Sequence, residues 1–267
     1  MNILFVGDVV SDAGRKMLSK HLPALKKAYG VDLCIVNGEN SAAGNGMLPS
    51  SADEIFLSGA DVITGGNHTF RRHEIIKYLE ENQYALRPYN VLNSDAAGRG
   101  YVIYDMGKTQ VCIINLIGNA YIEGYANPFY AIDDLLKRVD CKNIIIDFHA
   151  EATAEKAALA HYLDGRVTAV IGTHTHVRTA DARIFPNGLA FITDAGMTGP
   201  SFSVLGVDPA RAIDRMKNST PVRFETASGD CKMDCVLIKI DEKSGKALEI
   251  KSLEIKSLEI TDVAEKR

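Results

Sequence analysis

The sequence predicts an α/β protein, a four-layer α/β/β/α sandwich in which two packed mixed sheets are flanked by helices. Three observations carry that prediction. Strand-sized apolar runs alternate with helical patterns through the first two thirds of the chain, as βα units of a largely parallel sheet require. Several runs are apolar on both parities, as strands covered on both faces must be. Further strand-like stretches lack intervening helices and call for a second, more antiparallel sheet. The 267 residues are 46% hydrophobic and 24% charged, which is ordinary globular composition and enough chain for a large core.

Taken in order, the first strand is 2–7 (NILFVG), followed by Ser11 as the cap of a helix beginning DAGRKMLSKH. Strands follow at 32–37 (DLCIVN) and 61–65 (DVITG), then short ones around 86–92 and 100–105, then 111–117 (VCIINLI). Asn127 precedes Pro128 at a helix start, and strand 143–149 (NIIIDFH) leads to Thr153 as the cap before AEKAALAHYL. Strands at 167–172 and 189–194 come next, then Asp208 ahead of Pro209, and finally strand-like 222–226 and 235–241. No linker or shift in composition divides the chain, so one domain is expected over 1–247. Residues 248–260 read LEIKSLEIKSLEI, a five-residue repeat that puts Leu248 and Ile250 on one strand face and Leu253 and Ile255 on the other. An odd period cannot keep one face buried. One copy is expected to finish an edge strand and the remainder of 248–267 to fray.

Thirty basic and 34 acidic residues give a net charge of −4, which disfavours an extended grip on duplex nucleic acid and leaves room for a local positive pocket for a small phosphate. No apolar run is long enough to span a membrane. The MNILFVGD start has neither the basic region nor the cleavage site of a secretory signal. Five scattered cysteines (Cys34, Cys112, Cys141, Cys231, Cys235) read as reduced thiols in a cytoplasmic protein, and Cys231 with Cys235 has no second pair to make a zinc ribbon. A homo-oligomer is the default expectation for a soluble enzyme.

The polar residues of interest collect at the carboxyl ends of predicted strands, where α/β sheets place their ligands. They are Asp8 in VGDVV, Glu39 and Asn40 in VNGENSAAG, Asn67 and His68 in TGGNHTF, His149 in IIDFHAE, and His174 with His176 in IGTHTHV. Carboxylate, amide and imidazole together suit a hard or borderline cation and not a thiolate-bound one. So many oxygen and nitrogen donors exceed one tetrahedral ion and fit two ions about 4 Å apart sharing a carboxylate. Residues 174 and 176, two apart in an extended segment, point the same way, and a turn there aims one at each ion. Glycines beside the candidates let the backbone approach closely.

As an ordered set, GD, GNH, a lone His and THTH resemble the calcineurin-like metallophosphoesterases. GDVV, NGEN, GGNHTF, DFHAEAT, GTHTHV and DAGMTGP together resemble, more closely, the YmdB family of bacterial phosphodiesterases, over residues 1–241. Two departures from the wider superfamily are normal for that branch. Glu39 stands where most members have Asp, and the usual His two residues after the first Asp is replaced by Val10, with Asn40 in its role. The resemblance implies the metallophosphoesterase sandwich, a first ion held by Asp8, Glu39, Asn40 and His176, and a second held by Glu39, Asn67, His149 and His174. It implies Glu39 as the bridge, iron or manganese as the metal with zinc compatible, and His68 as proton donor to the leaving oxygen. The implied substrate is a 2',3'-cyclic nucleotide or a related small phosphodiester.

Taken singly, each residue has a plainer reading: Asp8 as a helix cap, Glu39 and Asn40 as turn polars, His149 as a buried histidine bound to backbone. Their coincidence at five strand ends is what favours a site. The alternative function is a regulatory or RNA-associated protein with this fold and little turnover. An amidohydrolase barrel is disfavoured, because its HxH pair follows the first strand. His21, His73 and His161 fall in predicted helices and receive no role. Arg71 and Arg72 read as a solvated helix start or as phosphate-steering groups. Segment 196–206 reads as an irregular loop at a pocket or a subunit contact, and Phe202, Tyr121 and Tyr125 as loop anchors or base-stacking rings.

Overall fold

A computed structural model describes residues 1–93, 95–219 and 221–257. In chain order the elements are β1 (Asn2–Val6), β2 (Asp8–Val9), α1 (Ser11–Tyr29), β3 (Leu33–Asn37), α2 (Pro49–Leu57), β4 (Val62–Thr64) and α3 (Ile75–Glu81). Then come β5 (Tyr101–Asp105), β6 (Gln110–Ile117), α4 (Pro128–Leu136), β7 (Asn143–His149), α5 (Thr153–Leu163) and β8 (Ala169–Thr173). The chain continues with β9 (Arg183–Ile184), β10 (Ala190–Ile192), β11 (Met197–Pro200), α6 (Pro209–Asn218), β12 (Cys231–Asp241) and β13 (Lys246–Lys256).

The strands form two sheets. In the first, β1, β3 and β4 run parallel, while β12 lies antiparallel to β1. One edge of β12 carries β13, and the other carries first β1 and then β11, which continues to β2. The second sheet runs β5-β6-β7-β8-β10-β9, with β6, β7, β8 and β10 parallel. Both sheets are therefore mixed: the second has a parallel centre with antiparallel edge strands β5 and β9, whereas in the first the interior strand β12 is antiparallel to β1, β11 and β13, and β3 and β4 extend β1 in parallel to the far edge. The two mixed sheets are as expected, but the strands without intervening helices do not make a sheet of their own: β5 edges the second sheet and β12 lies within the first, because hydrophobic pattern shows that a strand is buried but not which of two such sheets it joins.

Three apolar clusters mark the three interfaces of a four-layer sandwich. Ile3, Phe5, Ile35 and Val62 of the first sheet meet Ile113, Ile145, Ile171 and Ile192 of the second. Leu18 and Leu22 of α1, Ile55 of α2 and Leu79 of α3 cover the outer face of the first sheet. Ile132 of α4 and Leu159 of α5 cover that of the second. Burying continuous apolar strands between helices is the main stabilising term, at roughly 1.5–3 kcal/mol for each large aliphatic side chain.

Two predicted caps are present. Asn127 accepts from the Phe129 amide and Asp208 from the Arg211 amide. Ser11 opens α1 at φ 60°, and its Oγ accepts from the Ala13 amide at 3.3 Å. Thr153 instead lies inside α5, whose start has no side-chain cap. Residues 86–92 and 222–226 form isolated bridges and not strands. Part of segment 196–206 is β11 and not loop. His73 lies in the turn before α3.

The LEIKS repeat departs most from expectation. The boundary at 247 falls inside β13, and the strand runs on through the second copy to Lys256. The odd period is accommodated because both faces of this sheet are covered: Ile250 packs toward the inter-sheet core, Leu253 and Ile255 toward the helical layer. Leu248 sits at a register shift opposite Lys239 and Ile240 and is exposed. The third copy, 258–260, lies outside the described residues. No helix among the described residues is long and apolar enough to cross a membrane. All five cysteines are free thiols.

Candidate metal centre

The carboxyl ends of parallel strands from both sheets converge on one pocket. Asp8 follows β1, Glu39 and Asn40 follow β3, and Asn67 and His68 follow β4. The second sheet supplies His149 at the end of β7, with His174 and His176 after β8. The backbone must come close for this to happen. A Cβ on Gly66 would lie 2.1 Å from Glu39 Oε2 and 2.5 Å from the His149 ring, and one on Gly7 would lie 2.2 Å from the Gly196 carbonyl.

Each of three imidazoles spends one nitrogen on an outer acceptor. His149 Nδ1 lies 2.9 Å from Thr173 Oγ1, and the Thr173 hydroxyl donates to Asp147 at 2.6 Å, so the threonine oxygen accepts from the ring. His174 Nε2 faces Glu151 at 3.0 Å, and His176 Nδ1 faces the Leu205 carbonyl at 3.0 Å. The remaining nitrogens turn inward. His149 Nε2 is 3.1 Å from Glu39 Oε1, 3.0 Å from Asn67 Oδ1 and 3.0 Å from His174 Nδ1. His176 Nε2 is 3.1 Å from Asn40 Nδ2 and 3.8 Å from Asp8 Oδ1. Outer partners that fix the tautomer while the other nitrogen joins carboxylates are the usual surroundings of metal-binding histidines.

Asp8 is fully buried; its Oδ2 accepts from the His174 amide at 3.2 Å, and its Oδ1 has no hydrogen-bond partner. A buried, unpartnered carboxylate oxygen is costly unless a cation takes it. Among the described residues no lysine or arginine pairs with Asp8 or Glu39. Burial pushes the Asp8 carboxyl up against the pull of His176 and His149. Burial acts the same way on Glu39, yet His149 and His68 outweigh it and hold that carboxyl well below the usual range. Burial lowers the His149 imidazole, but Glu39, Asp8 and Asp147 overcome it and raise the group to about 9. Burial and the charge of His149 push His174 down to about 3. The pocket therefore calls for positive charge, and its donors are those of a hard or borderline cation.

Glu39 joins the two halves. With His149 and His174 it forms one group of converging donors, and its Oε1 accepts from Asn40 Nδ2 at 3.0 Å on the side of Asp8 and His176. Asn40 presents Nδ2 to the cluster and Oδ1 to His68 Nδ1, 3.0 Å away. A half-turn of the amide exchanges these atoms and puts Oδ1 on the cluster side. All eight residues singled out in the sequence thus meet here, including His68, whose amide donates to Glu39 Oε2 at 3.1 Å. His21 and His161 lie elsewhere, His21 buried in α1 and His161 edge-on to Phe185.

The THTH segment is not extended, contrary to the two-residue alternation expected of it. His174 has φ 100° and His176 φ 63°, a strained turn that needs support. The support is a buried pair, with Lys156 Nζ donating to Asp194 Oδ2 at 2.9 Å. The same oxygen accepts from Thr175 N at 3.0 Å and Thr175 Oγ1 at 2.8 Å. A second hidden carboxylate, Asp147, accepts from Thr173, Thr64 and Asn37, and burial outweighs those donors to raise it to about 6. Asn37 and Asp147 had a sequence signal, the first a polar residue ending an apolar strand and the second a lone carboxylate inside one. Lys156 had none, since a lysine in a helix reads as solvated.

In sequence the chain is similar to a protein of Bacillus subtilis named 2',3'-cyclic-nucleotide 2'-phosphodiesterase, 43% identical over 252 residues, covering 94% of this chain and 95% of that protein. A crystal structure of a novel phosphatase from Mycoplasma pneumoniae superposes with a TM-score of 0.91 at 35% identity, covering 96% of this chain and 93% of that one. The calcineurin-like phosphoesterase YfkN of Bacillus subtilis shares the fold, with a TM-score of 0.55 at 14% identity over 96% of this chain and 90% of its own. The family model described as YmdB-like protein matches residues 4–253, and the chain belongs to that family.

Proposed function

We propose that this protein is a phosphodiesterase that opens 2',3'-cyclic nucleotides, or related small phosphodiesters, at a centre of two ions, iron or manganese, with zinc compatible with the same donors. The observation that carries the reading is the set of three imidazoles, each tied outward by one nitrogen, whose other nitrogens converge with two buried carboxylates. The activity named for the Bacillus subtilis relative supports the substrate class. Asp8, Glu39, Asn40 and His176 would hold one ion, and Glu39, Asn67, His149 and His174 the other, with Glu39 shared. Such a pair offsets phosphoryl charge and makes a water nucleophilic near neutral pH.

The chain's own contribution to bond breaking is His68. Its Nδ1 is tied to Asn40 at 3.0 Å and lies 3.5 Å from Glu39, while Nε2 makes no hydrogen bond to a described residue. The ring is part exposed and forms a wall of an adjoining cavity. As water adds to phosphorus, the bond to the ribose 2'-oxygen breaks. Its electron pair leaves on that oxygen, and His68 supplies the proton. General acid catalysis contributes roughly 10²–10⁴ in rate. His68→Ala is expected to keep the full complement of about two ions while losing about 10²–10⁴ in kcat. Elemental analysis beside turnover of a 2',3'-cyclic nucleotide checks this; a variant with native rate contradicts the assigned role.

A further inference from the structure

The cavity walled by His68 has a volume of about 560 Å³, within the roughly 300–1,000 Å³ typical of small-molecule sites. Four arginines line it, Arg71, Arg72, Arg215 and Arg223, beside Phe224. Its one carboxylate, Glu225, is engaged by Arg211 at 2.8 Å. None of the four lining arginines has a carboxylate partner among the described residues. Five others, Arg15, Arg138, Arg166, Arg178 and Arg211, have one, while Arg87, Arg99 and Arg183, which lie elsewhere, bond carbonyl groups or stack on rings. A protein of net charge −4 has thus gathered four unpaired arginines beside its candidate proton donor.

The walls hold them in place. Arg72 Nε donates to the Asn45 carbonyl at 3.1 Å, and the Arg215 guanidinium lies 4.7 Å from the centre of the Phe224 ring. Gly46, at φ 82°, packs on both neighbouring stems: a Cβ there would lie 2.9 Å from Arg72 Cγ and 3.2 Å from Arg71 Cβ. The cavity borders the centre at two walls, His68 and Leu205, whose carbonyl holds His176.

We propose that this cavity binds a second phosphate of the substrate, one carried on the 5'-oxygen of the nucleoside whose 2',3'-cyclic phosphate is opened. The inference rests on the phosphodiesterase reading above. If His68 protonates the leaving 2'-oxygen, the ribose bearing that oxygen lies against His68, and the rest of the nucleotide enters the arginine-lined space. Arginine forks match phosphate oxygens in paired, charge-assisted hydrogen bonds, and four of them exceed what an uncharged nucleoside can use. Phe224 offers a ring against which a base can stack. The preferred substrates are therefore 5'-phosphorylated nucleoside 2',3'-cyclic phosphates, free or as the end of an oligonucleotide.

The test compares kcat/KM of the metal-loaded full chain on three substrates: adenosine 2',3'-cyclic phosphate, its 5'-phosphorylated form, and a dinucleotide ending in the same cyclic phosphate. Native protein is set beside Arg215→Ala/Arg223→Ala and Arg223→Gln, both at exposed positions where substitution spares the fold. The expected result is a preference of about tenfold or more for at least one of the phosphate-bearing substrates, reduced toward unity in the double variant. Which of the two gains most identifies a free nucleotide or an RNA end as the source of the phosphate. Calorimetric binding of adenosine 3',5'-bisphosphate against adenosine 3'-phosphate gives a readout independent of turnover, with the same preference and the same loss expected. Equal handling of all ligands by native protein, or a preference unchanged in the double variant, overturns the subsite. Failure of native protein to hydrolyse any substrate overturns the phosphodiesterase reading instead, and the binding ratio still decides the subsite.

Discussion

Glu39→Gln is expected to reduce the bound metal from about two ions per chain to one or fewer. Phosphodiester turnover should fall by more than about a hundredfold, since loss of a mere outer partner of a ligand costs about 10–100-fold. Glu39 is buried between both halves of the centre, 3.1 Å from His149 Nε2 and 3.0 Å from Asn40 Nδ2. Its carboxyl is held ionised against burial by His149 and His68. Glutamine keeps the shape but removes the charge and sets an N–H₂ group among donors that need an acceptor. Elemental analysis and turnover measured on one preparation check the result; native metal content in the variant contradicts the shared role of Glu39.

Lys156→Met is expected to cost about 3–5 kcal/mol of stability, because it strands a buried carboxylate whose counter-charge it removes. For a chain of this size that is a fall of roughly 6–20 °C in Tm. Lys156 and Asp194 are both fully buried, and Asp194 also accepts from Thr175 and from the Gly196 amide at 2.9 Å. The pair therefore fixes the positive-φ turn that carries His174 and His176, and metal affinity should fall with stability. Thermal unfolding of native and variant protein reads the effect. A Tm within about 2 °C of native, less than 1 kcal/mol at this size, contradicts it.

The central strands were legible because apolar runs such as NIIIDFH and VCIINLI have no other plausible fate than a buried strand. The convergence of Asp8, Glu39, Asn67, His149 and the histidine pair on one pocket was legible because α/β sheets gather polar site residues at strand ends and the order of these residues is that of a known family. The partition of strands between sheets was not, since pairing is a long-range choice that local pattern does not encode. The LEIKS strand was misjudged for a related reason: its odd period conflicts with a sheet covered on one face, and only the presence of helices behind β12 and β13 makes both of its faces useful. Lys156 and Asp194 were invisible because their partnership crosses 38 residues of chain. The four cavity arginines come from three separate stretches, so Arg71 and Arg72 alone suggested phosphate steering only weakly.

The most direct measurement is anomalous diffraction from crystals of the full chain grown with manganese. Two peaks about 3.5–4 Å apart are expected, one beside Asp8 and His176, the other beside His149 and His174, with Glu39 between them. Absence of any peak in this pocket, or a single ion that Glu39 does not touch, contradicts the two-ion centre.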